Sequence, residues 1–203
     1  LGSVAPRGAS AMANLIGKEN AHTLLRQSVR YCVKAENNSR SVAWDEPRTV
    51  LPKMFDQYKL DGRALGTRAA DDKWVEELSQ TIFKASAAEA AGAAAAALAD
   101  GFAPDAVGEA ISLAANQLVL RDHGRTPREE QPYKTLGSVH GDSIGVHACD
   151  SANAWRNMAR VSNSRNTYAC LILGAYQAAL DRANRGGDFL NWQPLPLPQQ
   201  LDA

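Results

Sequence analysis

Apolar positions recur three and four apart along most of this chain, the period of helices that bury one side. Residues 5–35 read as two helices broken near Gly17. Ala9, Met12, Ala13 and Ile16 face the first inward, and Leu24, Leu25, Val29 and Cys32 face the second, which follows Asn20. From 36 to 70 the period is lost among Asn37, Asn38, Pro47, Pro52, Gly62 and Gly66. That stretch reads as a long crossing segment with a single helical turn near Met54 and Phe55, anchored by Trp44, Phe55 and Tyr58.

The pattern returns at Asp71, where Trp74, Leu78 and Ile82, flanked by Val75 and Phe83, predict a helix to Ala85. Ser86 and Glu89 have capping-box spacing and open a helix to Asp100, with Gly101 suited to a left-handed end. Alanine dominates this helix, so its neighbours can approach closely, and it is placed at the centre of the bundle. Pro104 and Asp105 suit the start of the next helix, which carries Val107, Ile111, Ala114, Ala115 and Leu118 inward and ends near Leu120. After a polar loop at 126–132, residues 137–161 read as another helix. A last one, capped by Asn163 or Ser164, runs to Arg185 with Tyr168, Leu171, Ile172, Ala175 and Ala179 apolar.

The expectation is therefore an all-α, single-domain bundle of about six or seven helices over residues 1–187. The Pro-rich tail 188–203 is too interrupted for helix and reads as an extended arm, lying on its own domain or on a neighbouring subunit.

The candidate chemistry sits on the 137–161 helix. At 100° per residue Gly137, Gly141 and Gly145 form one stripe, beside Ala148, Ala152 and Trp155, over which another backbone can come close. Asn153, Arg156 and Arg160 fall mostly on the opposite, wetter side. His140 and His147 stand two turns apart at the border of the buried face, with Asp150 one turn beyond His147. A histidine so placed is most often a packed, hydrogen-bonded residue. The functional alternative is an acid/base pair with Asp150 as the orienting carboxylate, lining a shared cavity. Ligands seven residues apart are separated by ~10 Å along the axis, which disfavours a shared metal ion and suits a small molecule between them.

Composition narrows the partners. Lys plus Arg equals Asp plus Glu at 22 each, which removes the electrostatic case for nucleic acid or an acidic membrane surface. No apolar run approaches the ~20 residues of a membrane span. Cys32, Cys149 and Cys170 are odd in number and form no CxxC pair, which supports neither a disulfide framework nor a cysteine zinc site. Phosphate loops, nucleophile elbows and HExxH zinc helices are missing from the sequence, so no cofactor is named by it. The first residue, Leu1, reads as the start of a piece cut from a longer protein, and the compartment is not legible.

Offset by 143, the two ends of the chain echo each other: Gly2, Ala5, Ala9, Ala11, Asn14 and Asn20 meet Gly145, Ala148, Ala152, Ala154, Asn157 and Asn163. The physical reading is a duplicated helical hairpin, with Val4 standing opposite His147.

The segments HGDSIGVHACDSANAWRNMARV, SAAEAAGAAAAALADGFAPDAVGEAISLAANQLVLRD and LGSVAPRGASAMANLIGKENAHTLLRQSVRY together resemble a family of uncharacterised, mainly bacterial helical proteins. In that family a histidine-x-x-(Thr/Asp)-Ser-Ala-Asn-Ala segment recurs, here His147 to Ala154, and members often carry secretion signals. The layout also resembles that of questin-oxidase-like proteins, helical enzymes that oxidise polyketide aromatics. These likenesses imply an all-helical fold and direct attention to His147, Asp150, Ser151, Asn153 and Asn157. Two functions then stand open. One is an enzyme or small-molecule-binding domain with a histidine-lined pocket, oxidoreductase-like in the second likeness. The other is a non-catalytic domain that docks a homo-oligomer or larger-chain partner through the glycine stripe and the Pro-rich arm.

Overall fold

The computed structural model describes residues 17–38, 45–122, 124–138, 143–185 and 189–191. Among them the chain forms a 3-10 turn, Lys18–Asn20, seven α-helices and no strand. The helices are α1 Ala21–Asn38, α2 Asp45–Tyr58, α3 Asp72–Lys84, α4 Ala87–Ala99, α5 Pro104–Leu120, α6 Ile144–Arg160 and α7 Ser164–Arg185.

Helix α7 is the axis of the bundle and touches every helix from α2 to α6. Asn163 caps it by accepting the Asn166 backbone N–H at 3.0 Å. Tyr168, Leu171, Ile172, Ala175, Tyr176 and Ala179 follow at helical spacing, all buried. The alanine-rich α4 lies against α7, with Ala90, Ala91, Ala94 and Ala95 fully buried. Helix α4 thus lies in the core as expected, beside α7, which brings two tyrosines and larger aliphatics to the same centre. Both starts read from the sequence are present. Asp71 accepts the Trp74 N–H at 2.8 Å, and Ser86 and Glu89 form a reciprocal capping box.

Two helical expectations need correction. The crossing segment at 36–70 contains α2, a full 14-residue helix, where a single turn was expected. Pro47 sits in its first turn, where its missing N–H has no helical partner to lose. Pro52 does forgo a bond, and the burial of Val50, Met54, Phe55 and, just past the end, Leu60 offsets that loss. The helix terminates at Lys59, which takes the left-handed conformation more common for glycine (φ +51°). Tyr176 of α7 donates to the Glu46 carboxylate at 2.6 Å and fastens α2 down. Burial, then that bond and the Glu46 charge, push its phenol well above the ordinary range.

The second correction concerns the helix expected from Gly137. Helix α6 begins seven residues later, at Ile144, with Ser143 as its cap. Gly137 belongs to a turn at φ +75°, and Gly141 lies outside the described residues, so the three-glycine stripe is not one helix face. Gly145 does what was expected of the stripe. A Cβ there would stand 2.7 Å from the Val119 Cα, so α5 and α6 meet backbone to backbone at this point.

Helix α1 packs on none of α2–α7. It leaves Leu25, Val29 and Val33 at 46%, 61% and 55% exposure, on an 18-residue amphipathic helix. It begins at Ala21 and α7 at Ser164, the offset of the sequence echo. The partner helix of that echo, expected before Gly17, lies outside the described residues. So does the tail from 188 onward apart from 189–191, where Phe189 is buried in the core.

Candidate functional site

Helices α5 and α6 run antiparallel along one seam, fixed by four pairings. Gly145 meets Val119, Cys149 meets Asn116, Arg156 meets Gly108 and Arg160 meets Asp105. A groove of about 420 Å³ opens along the seam to solvent. From α5 it is lined by Ser112 and Asn116. From α6 it takes Cys149, Asp150, Asn153, Arg156, Asn157 and Arg160, with Ala152 as its apolar floor. This polar lining follows from helix geometry. Residues 149, 153, 156, 157 and 160 recur at three- and four-residue steps and so stand in one column beside the buried Ala148, Ala152 and Ala159.

Each polar group has a defined state. The Cys149 thiol donates to Asn116 Oδ1 at 3.1 Å. Burial, and secondarily the Asp150 charge, raises its pKa, so at neutral pH it is a hydrogen-bond donor and not a thiolate nucleophile. Asn157 Nδ2 donates to both the backbone carbonyl and the side-chain oxygen of Asn153, at 2.7 Å each. Ser112 is turned back on the Gly108 carbonyl at 2.9 Å. Arg160 Nε donates to Asp105 Oδ1 at 2.9 Å in an exposed ion pair.

Arg156 differs from all of these. Its aliphatic stem lies over Gly108, where a Cβ would come within 3.1 Å of Arg156 Cγ. Its Nε is shut off from solvent without a hydrogen-bond partner, and among the described residues its guanidinium has no ion pair. A buried N–H left unpaired costs about 1–3 kcal/mol, and the Nε atoms of Arg125 and Arg182 are in the same state.

The expected site is only partly assembled here. Asp150 is exposed and lines the groove, as do Asn153 and Asn157. His147 is half-buried, three residues before Asp150 on α6, and is not among the lining residues. His140 lies outside the described residues, and α6 begins only after it, so the two-turn pairing of imidazoles is not a feature of the described helix. Among the described residues no three His, Cys, Asp or Glu side chains are grouped to hold a metal ion. No described helix is long and apolar enough to cross a membrane. What the sequence reading missed is Arg156, which it placed on the wet side of the helix. Gly108 was the available signal: a glycine within a well-patterned helix marks a close approach, here of the Arg156 stem.

No family model, no curated protein and no solved structure matches this chain.

Proposed function

We propose that this chain is a small-molecule-binding domain whose ligand occupies the α5–α6 groove. The observation that carries the reading is Arg156 in the groove wall, half-buried, its stem against Gly108 and its guanidinium without an ion pair among the described residues. Arg160, the other cation of the lining, is paired with Asp105. Around it stand amides, a thiol and a carboxylate, a small set of oriented polar groups over an apolar floor, as small-ligand sites have. If the domain is an enzyme, Asp150 is the carboxylate that faces the ligand, and His147, one turn before it, reaches only a ligand that extends past the N-terminal end of the groove.

Ligand-observed NMR on a panel of small polar molecules tests this, run on the wild type and on Asn153→Trp, which fills the groove from an exposed position. At least one molecule binds the wild type and is lost in the variant. Binders that all persist in Asn153→Trp would place the ligand elsewhere and remove the reading.

A second reading, a subunit-interaction domain, is favoured by α1. Three apolar side chains at i, i+4 and i+8 standing in water on one helix are what a partner surface leaves when the partner is away. On that reading a second copy of this chain covers them, and sedimentation shows a dimer that Val29→Glu converts to monomer. A wild type that is monomeric at all concentrations contradicts it.

A further inference from the structure

Resting on the groove as the ligand site, we propose that its ligand is a small monocarboxylate, with the carboxylate seated on the two terminal Nη groups of the Arg156 guanidinium. The charges along the seam decide the class. Arg156 is the cation in the lining that no described residue neutralises, since Arg160 is already paired with Asp105 at 2.9 Å. Asp150 lines the same groove about 9 Å further toward the helix N-terminus, six residues at the helical rise. A neutral ligand would leave the guanidinium unpaired. A dianion such as a phosphate monoester would bring one negative charge more than Arg156 can neutralise, in a groove that already holds a carboxylate. One negative charge pairs with the Arg156 guanidinium, and Asp150, which stands about 9 Å away, disfavours a second.

Geometry favours the planar acid as well. A guanidinium presents its donors as a flat fork that matches the two oxygens of a carboxylate. The stem lies close over Gly108, which reduces the side-chain freedom to be lost on binding. Asn116, whose Oδ1 is occupied by the Cys149 thiol, keeps its amide N–H groups for the body of the ligand. The Ala152 floor gives that body an apolar resting place, which a bare inorganic anion would not use.

Titrations with butyrate, butyramide and methyl phosphate, followed by amide chemical shifts on the full chain, test the proposal. Butyrate moves the amides of residues 112–116 and 149–160, and butyramide and methyl phosphate bind at least about tenfold more weakly, the value of a charge-assisted contact over a neutral one. Arg156→Gln weakens butyrate about ten- to a hundredfold, and Arg156→Lys recovers part of that loss. Asp105→Asn, which releases Arg160, raises methyl phosphate affinity about threefold, the scale of an exposed ion pair. Unchanged methyl phosphate affinity in Asp105→Asn would overturn the charge count along the seam, and this arm reads out even if Arg156→Gln does not fold.

Butyramide binding as well as butyrate in the groove would overturn the carboxylate assignment while leaving the groove as the ligand site. Methyl phosphate binding more tightly than butyrate to the wild type would overturn the single-charge argument. Undiminished butyrate binding in Arg156→Gln would remove Arg156 as the anchor. If no probe moves the groove amides, the carboxylate assignment fails, and the panel screen with Asn153→Trp then shows whether the groove itself fails with it.

Discussion

Replacing Leu171 by Ala lowers the stability of the fold by about 2–5 kcal/mol, the range for removing a fully buried leucine from a packed core. Leu171 is 1% exposed at the middle of α7, the helix that every other helix from α2 to α6 touches. The upper part of that range applies if the surroundings cannot collapse into the space, and here they are poorly able to. Small alanines on α4 already bring the helices together, and the Ala90, Ala91, Ala94 and Ala95 side chains have no further reach. Chemical denaturation reads the loss as a lower midpoint with an unchanged slope. A shift worth less than about 1 kcal/mol would mean that α7 is not the axis of the core.

Gly145→Ala destabilises by about 2 kcal/mol, although in an isolated helix the same change would be favourable by about 1 kcal/mol. Two effects of opposite sign compete, and their neighbours decide between them. The added Cβ would stand 2.7 Å from Val119 Cα and 2.9 Å from Val119 N. These are backbone atoms of a helix, and unlike the end of a flexible side chain they cannot swing aside. Helix α6 must then shift off α5, and the groove that the two helices share changes width. The variant should therefore lose ligand binding together with stability. Gly92 of α4, where a Cβ would meet only Met54 Sδ at 3.7 Å and Tyr58 Oη at 3.9 Å, is a control at which no backbone is displaced. A stabilised Gly145→Ala protein would show that α5 and α6 do not meet as described.

How far the sequence revealed this molecule depended on whether the information was local. The helices at 72–84 and 87–99 were legible because Asp71, Ser86 and Glu89 carry their own start signals a few residues from the groups they bond. Gly101 was legible as a left-handed exit for the same reason, and it does adopt φ +84°. Helix α2 was hidden because Pro47 and Pro52 are local signals against helix, while what favours it is the distant burial of Met54 and Phe55 and the Tyr176–Glu46 bond. The residues after Gly137 misled in the other direction. A four-residue glycine spacing fits a helix wheel, but Gly137 is used to turn the chain, its N–H on the Arg125 carbonyl at 2.9 Å.

The site follows the same division. Asp150 was singled out by its place one turn beyond His147, and Asn153 and Asn157 by the family resemblance of their segment. Arg156 was set aside as solvent-facing, because its wheel position says nothing about which helix lies opposite. Only the arrival of α5, with Gly108 under the arginine stem and Asn116 beside Cys149, converts a wet helix side into one wall of a groove.

The most direct test of the account is where a bound ligand perturbs the protein. With butyrate, or with any binder from the panel that Asn153→Trp abolishes, the largest amide shifts should fall on residues 112–116 and 149–160, and Arg156→Gln should suppress them. Shifts centred instead on α1, or on the α3–α4 turn around Ala85 and Ser86, would contradict the assignment of function to the α5–α6 seam.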